Sequence, residues 1–495
     1  MAAPPQADTP APHRPLILFA CMLAMFMAAI ESTIVATAMP TIVAVLGGFT
    51  HFSWVYAIYL LTQAVTIPLY GKMSDMFGRQ PVLLFGAGLF LLGSALCGLA
   101  GSMLGLIAFR ALQGLGAGAI QPVVSTIVGD IYAPADRGRV QGYISSVWGI
   151  SSVVGPAAGA FLVQQLSWRF VFWINLPIGI AALAILQLYL RERPRSQRRR
   201  IDFAGAALLA LGTSTLMLAL IQSSALDPLS LAALSALALA SLAAFVVREQ
   251  FAAEPILPLA LFGNRVISVG AAGSLVAGAL MMGVTGFLPV YVQGIMGRTP
   301  TVAGFALAVM SFGWPIASTI GGRLMTVTSY RSVAMIGAVM LTCGAGVLTL
   351  LVPERGPVFA GVGAFLIGLG MGFSTTTFMV AAQASVDWGQ RGVATSSTIF
   401  MRLVGMSFGA ALFGAVVNHG LHVHAAGMMG AVNQLMEPGQ RSLIDFATLR
   451  TLTSAMADAL HEVYVMAGAL GLIVVALVLW LPKGLNPVNI AQKRA

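Results

Sequence analysis

Glu31 is the one acid of the chain that lies well inside an apolar run, in the string AAIESTIVATAMPTI. A carboxylate in such surroundings can hold a proton or hold a cation. Arg110 lies in another apolar run, LIAFRALQGLGAG, three residues before Gln113. An ionised side chain in hydrocarbon is costly, so a functional role is the default reading for both. Desolvation favours the neutral acid and a neighbouring guanidinium favours the carboxylate. A site that alternates between these surroundings would take up and release a proton. Competition between a proton and a cationic substrate for Glu31 would then give exchange. Two readings stand beside this one: a permanent Glu31–Arg110 bridge that serves structure alone, and an acid that binds substrate while protons take another route. A second intramembrane cation, Arg402, joins Glu31, Met27, Gln113 and Phe287 as candidate lining of a substrate cavity. Flexible Met and aromatic walls would admit many ligands.

No other pattern suggests chemistry. The chain has no Walker A string, no H-E-x-x-H and no G-x-S-x-G, so neither ATP nor a hydrolytic centre is expected. The glycines after Arg110 follow no strand and are not a nucleotide loop. Cys21, Cys97 and Cys343 are isolated in apolar runs, which gives neither a disulfide framework nor a zinc site. His419, His422 and His424 in HGLHVH read as solvated loop histidines, with a metal site as the weaker alternative. No cofactor and no metal is expected.

The elements that must position Glu31 and Arg110 follow from composition. Of 495 residues, 58% are hydrophobic and 8% charged, against about 25% charged in soluble domains. So few charges cannot cover a soluble surface of this size, which excludes a cytosolic enzyme, a disordered chain and an ordinary nucleic-acid binder. Fourteen runs are long enough to cross a membrane: 16–39, 53–70, 82–101, 103–129, 140–163, 170–190, 203–222, 229–247, 266–291, 301–321, 332–352, 357–381, 394–417 and 463–482. An even count puts both termini on one side. With the termini inside, cytoplasmic segments hold 19 of the 26 Lys and Arg, as the positive-inside rule requires. Glu31 then lies about 12 Å below the outer end of its run and Arg110 about 10 Å below the start of its own, so the two share a layer.

The chain also repeats itself at an offset of 254 residues. GLGAG at 114–118 matches GLGMG at 368–372, Arg137-Gly138 matches Arg391-Gly392, and Gly155 matches Gly409. The expected organisation is a disordered tail (1–15), a six-helix half (16–190), a basic linker (191–202), an inserted helix pair (203–248), a second six-helix half (266–482) with a long outer loop (418–461), and a tail (483–495). Repeated halves around a central site are the architecture of many secondary transporters. The linker run RERPRSQRRR reads as a topology determinant resting on anionic lipid.

Five strings carry a resemblance. GKMSDMFGRQ resembles the loop signature of the major facilitator superfamily between spans 2 and 3, with Gly71, Asp75, Gly78 and Arg79 in place. The resemblance implies a switch that locks the cytoplasmic side shut. Arg110, Gln113 and Gly114 are similar to the R-x-x-q-G motif of span 4. WGISSVVGPAAGA resembles the antiporter motif of span 5. Its Ser151, Gly155 and Gly159 share one helix face, beside Pro156. Close packing of that face led to the expectation that a large residue at Gly155 would wedge the two halves apart. The span 1 string is similar to the motif of the fourteen-helix drug:proton antiporters, with Glu31 in place of Asp and Met39 in place of Leu; SWRFVFWINLPIG also resembles that branch. The chain is thus identified as a member of the superfamily. The resemblance implies an all-α polytopic membrane protein with two six-helix bundles plus two inserted helices. It implies proton-coupled export of amphipathic or cationic small molecules, with antibiotic resistance as the consequence, from a bacterial inner membrane with both termini cytoplasmic. The expected partners are small-molecule substrate, protons and membrane lipids, and no nucleic acid. A monomer is expected, with a periplasmic adaptor left open. The alternatives on the same fold are a lipid or metabolite exporter and an uptake symporter; a membrane sensor or embedded enzyme is the reading from another class.

Overall fold

The computed structural model of the protein describes residues 13–132, 134–190, 202–221, 226–252, 255, 259–386, 391–424, 432, 434–435, 441 and 444–483. The basic run 191–200 and the tails 1–12 and 484–495 lie outside them. The helices are α1 (Arg14–Leu46), α2 (Phe52–Phe77), α3 (Arg79–Gly98), α4 (Met103–Ile131), α5 (Pro134–Gln165), α6 (Phe170–Trp173), α7 (Asn175–Tyr189), α8 (Phe203–Ile221), α9 (Pro228–Phe251), α10 (Arg265–Val290), α11 (Pro300–Val327), α12 (Tyr330–Thr349), α13 (Gly356–Ala384), α14 (Arg391–His424) and α15 (Phe446–Leu479). With α6 and α7 forming one span, 14 stretches of helix among the described residues are long and apolar enough to cross a membrane. The helix ends fall into two layers. We call the side where α1 begins and α15 ends the basic face, and the other the far face.

The halves repeat their contacts. In the first, α1 packs on α5, α3 on α4, α2 on α4 and α1 on α7; in the second, α10 packs on α14, α12 on α13, α11 on α13 and α10 on α15. The halves meet along two seams, α2 against α14 and α5 against α11, which exchange under the same correspondence. The inserted helix α8 packs on α2, α14 and α9, and so lies on the outside of one seam. There Ser407 Oγ donates to Ala57 O at 2.7 Å and reaches Met217 Sδ of α8 at 3.6 Å. An Arg248–Asp202 ion pair of 3.2 Å ties the ends of α8 and α9 together.

The seams close toward the far face. Phe287 lies 5.5 Å from Phe52 and 6.4 Å from Phe413 between ring centroids, joining the two halves through aromatic contact. Asn418 Nδ2 donates to Thr50 O at 2.9 Å, and Gln164 Nε2 to Thr301 Oγ1 at 2.7 Å. Toward the basic face the halves part. On one face of α11, Gly304 is buried against Pro156 of α5 and Ala308 is buried beside it, whereas Pro315 is exposed, its Cγ 3.9 Å from where a Cβ on Gly149 would stand, and Thr319, further along, is exposed. Gly322, on the same face again, has no neighbour within 4 Å of where a Cβ would stand.

Two boundaries differ from the sequence expectation. Span 1 was expected to end before Pro40, but α1 runs through it to Leu46. A proline inside a membrane helix is tolerated where neighbours meet the loosened backbone; here Gln293 Nε2 of the other half donates to Thr37 O at 3.3 Å. The expected outer loop 418–461 is helical at both ends, because α14 continues to His424 and α15 begins at Phe446. Asp445 caps α15 by accepting from Thr448 N at 2.9 Å, and those bonds hold its carboxyl below the usual range.

Candidate functional site: a caged carboxylate in the first half

Glu31 is fully buried on α1. Its oxygens are each taken by a different helix. Arg110 Nη1 of α4 donates to Oε1 at 2.5 Å, and Asn175 Nδ2 of α7 donates to Oε2 at 2.6 Å. Arg110 Nη1 also reaches Gln113 Oε1 at 2.6 Å, one turn along α4. Gln113 Nε2 donates to Ser94 Oγ of α3 at 3.1 Å, and Asn175 Nδ2 lies 3.0 Å from that hydroxyl. Ser94 Oγ in turn donates to Phe172 O at 2.9 Å. Arg110 Nε donates to Val55 O of α2 at 3.2 Å, and its guanidinium stacks 4.0 Å from the centroid of Tyr59. Five helices of the first half thus converge on one ion pair. Such a pair is stable in hydrocarbon only because charge, hydrogen bonds and an aromatic face all meet it.

Each arm has a local cause. Arg110 and Gln113 are three residues apart and project from the same side of α4. The chain can approach α3 closely there because Gly93 faces Gln113, where a Cβ would stand 2.5 Å from its Cα. On α7, Asn175 is the first residue of the helix, and its amide is buried in the bundle. One acceptor, Asn175 Oδ1, is buried without a partner.

The residues expected from sequence fall into separate places. Glu31, Arg110 and Gln113 come together. The depth expected for Glu31 is corrected: with α1 reaching Leu46, the acid lies 15 residues, about 22 Å, from that end. Met27 does not line the space between the halves. It lies one turn from Glu31 on the same side of α1, and that side faces inward, so its sulfur packs where α7 has Gly179. Phe287 belongs to the far-face seal. Arg402 is partly exposed on α14, its guanidinium 5.5 Å from the Trp314 ring of α11.

The antiporter-motif face is also placed differently from expectation. A Cβ on Gly155 would overlap Thr33 Oγ1, and one on Gly159 would sit 3.0 Å from Ile34 O. Both glycines therefore let α5 approach α1 of the same half, rather than the opposite half. Thr33 Oγ1 donates to Ser151 O at 3.3 Å across this contact. Pro156 points the other way, toward Gly304 of α11. In the loop string, Gly78 is the single residue between α2 and α3, with φ +97°, a conformation that favours glycine. Gly71 turns nothing; it lies inside α2 with no neighbour within 4 Å of a Cβ. Arg79 Nη1 donates to Ser74 O at 3.4 Å, and the Asp75 side chain lies outside the described residues. His419 and His422 are exposed at the far end of α14, and the His424 side chain lies outside the described residues.

Sequence reading missed Ser94 and Asn175. The signal was available: Ser94 is the one hydroxyl in the run 82–101, and Asn175 interrupts the apolar stretch FVFWINLPIG.

The chain matches the Major Facilitator Superfamily over residues 21–410. It is 34% identical over 469 residues to multidrug resistance protein 3 of Bacillus subtilis (strain 168), covering 91% of this chain and 92% of that one. Over 408 residues it is 35% identical to the multidrug transporter protein MdtP of the same organism, covering 82% and 75%. Among solved structures, a bacterial homolog of the human lysosomal transporter Spinster, in an inward-facing and occupied conformation, superposes with a TM-score of 0.67 at 17% identity, covering 94% and 96%.

Proposed function

The chain belongs to the Major Facilitator Superfamily, and from that premise we propose that it exports amphipathic drug-like molecules across the bacterial inner membrane in exchange for protons. The names of the relatives, a multidrug resistance protein and a multidrug transporter, support export of drugs. The Glu31 cage is the observation that carries proton coupling: a single titratable acid, held by a cation and an amide at the meeting point of five helices. The basic face is cytoplasmic in this reading, so the parted halves admit substrate from the cytoplasm.

The cage supplies a mechanism. Protonation of Glu31 removes the charge that fixes Arg110 and converts one oxygen from acceptor to donor. Turning the Asn175 amide would offer the unpartnered Oδ1 to that new donor, while Arg110 loses its anchor between α1 and α4. The contact of α5 with α1 at Thr33 and Ile34 lies within a turn of Glu31. A shift of α1 is thereby passed to α5, and through Pro156 and Gly304 to the seam with α11. Both carboxylate oxygens are taken, so the proton acts through Arg110 and α1 rather than by direct exchange with a cationic substrate at the acid.

Everted membrane vesicles with a preformed pH gradient test the proposal. Added substrate should dissipate the gradient in vesicles containing the protein and leave it intact with Glu31→Gln. A substrate accumulated without any proton movement would overturn antiport.

A further inference from the structure

The second half holds a cation with no counter-charge. Arg402 lies 11 residues into α14, about 16 Å from the basic-face end of that helix. Trp314 lies 13 residues from the basic-face end of α11, at a similar depth. Between α14 and α11 stand α10 and α13, each packed on both neighbours. The backs of α10 and α13 are covered by α15 and α12. A side chain that leaves α14 and reaches a ring on α11 must therefore cross the front of α10 and α13, the surface turned toward the first half. That places the guanidinium in the wall of the space between the halves, near mid-membrane. One turn toward the basic face from Trp314, Ser318 Oγ accepts from Thr376 Oγ1 at 2.9 Å, adding polar groups to the same wall.

Among the described residues Arg402 makes no ion pair and no hydrogen bond, and its guanidinium lies 5.5 Å from the Trp314 ring centroid. No acid among the described residues is paired with it. Glu31 is held in the other half, and Asp75 and Asp130 lie within two residues of the basic-face ends of α2 and α4. A guanidinium at this depth, wetted only on one side, is an expensive feature unless something anionic meets it. Its planar fork pairs with carboxylates in two parallel hydrogen bonds, and the indole beside it offers a face for an aromatic body.

We propose that Arg402 and Trp314 form the head-group site for the cargo, and that the cargo is an amphipathic aromatic anion or zwitterion bearing a carboxylate. The assignment rests on the exporter reading, and it names the substrate class. The carboxylate pairs with the guanidinium, and the aromatic body lies along the Trp314 side of the wall. A purely cationic molecule is repelled by Arg402 and gains nothing from it.

Two probes with one aromatic body test this: 1-pyrenebutyrate, an anion, and 1-pyrenemethylammonium, a cation. Binding is read by fluorescence anisotropy on the purified full chain in phosphatidylcholine nanodiscs. The wild type should bind the anion at least about tenfold more tightly than the cation, which is about 1.4 kcal/mol. Arg402→Gln should erase that preference by weakening the anion about tenfold, and Arg402→Lys should restore part of it. Equal affinities in the wild type, or a preference untouched by Arg402→Gln, would overturn the assignment. The wild-type comparison decides the matter even where the variant does not fold. Adding phosphatidylglycerol to the nanodiscs separates a soluble cargo from a lipid head group: displacement of pyrenebutyrate would give the site to lipid and overturn the cargo assignment. Failure of the exporter reading is seen elsewhere, in vesicles that show no substrate-driven proton movement while the charge preference at Arg402 persists.

Discussion

The two halves share a scaffold but not a core. At the 254-residue offset Glu31 corresponds to Thr285, Ser94 to Leu348, Arg110 to Ala364 and Gln113 to Ile367. Leu348, Ala364 and Ile367 are buried like their counterparts, in an apolar interior. The packing around them is alike: Gln113 of α4 lies against Gly93 of α3, and Ile367 of α13 lies against Gly344 of α12. Glycines let the helices approach in both halves. What fills the space between them differs, an ion pair with its hydrogen bonds in one half and hydrocarbon in the other. The cation of the second half, Arg402, stands instead on the wall facing the first half. The same helix packing can thus carry a buried ion pair or a passive core, and the choice rests on a few side chains.

The largest expected effect compares the two arginines. Arg110→Ala leaves a buried carboxylate without its cation, a change that costs about 3–5 kcal/mol. Arg402→Ala removes a cation that has no counter-charge among the described residues, so it should cost clearly less than Arg110→Ala. Thermal unfolding of the purified proteins measures both; equal shifts would show that the first cage is no more built than the second wall.

Next comes Glu31→Gln, which preserves shape and removes the titrating charge. It is expected to abolish proton-driven export while the protein remains folded in the membrane. Export with the wild-type pH dependence in this variant would move coupling away from the cage.

A paired substitution sharpens the contrast between halves. Gly155→Leu forces α5 off α1 beside the cage, and Gly409→Leu forces α14 off α10 at Ala279, in the half that lacks the Glu31 cage. Overpacking should cost each about 1–3 kcal/mol. Only Gly155→Leu should lower the number of protons moved per substrate. If both variants uncouple equally, α5 has no special link to Glu31.

The smallest effect is expected for Asn175→Ala, which leaves Glu31 Oε2 without its amide donor. The cost in stability should be about 1 kcal/mol. The pH profile of export should also move, whereas a packing change elsewhere in α7, Gly179→Ala, should leave that profile in place. An unmoved profile for Asn175→Ala would make the amide a packing element only.

Much of this was legible beforehand. The count of fourteen spans, the repeat and the pairing of Glu31 with Arg110 follow from apolar runs, a fixed offset and two ionised residues that hydrocarbon would not otherwise allow. The direction in which helices turn was less legible. Met27 was expected in a cavity and packs against Gly179, because a helix that is apolar all round gives no sign of which side faces lipid, cavity or core. Likewise Gly155 and Gly159 mark a close contact without naming the helix that makes it. Pro40 reads as an end and is passed through, because a carbonyl loosened by proline can be met by Gln293, which lies 253 residues away.

The sequence by itself determined the class of protein, its two related halves and the place of Glu31 inside an apolar run, since these depend on what hydrocarbon tolerates and on local order along the chain. Tertiary structure alone decided that Ser94 and Asn175 complete the cage around Glu31, that the antiporter-motif glycines serve α1, and that Arg402 crosses in front of α10 and α13 to Trp314. These relations join residues far apart in the chain. They are fixed by the rotation of each helix about its axis, and in a uniformly apolar helix that rotation is set by the neighbours it meets.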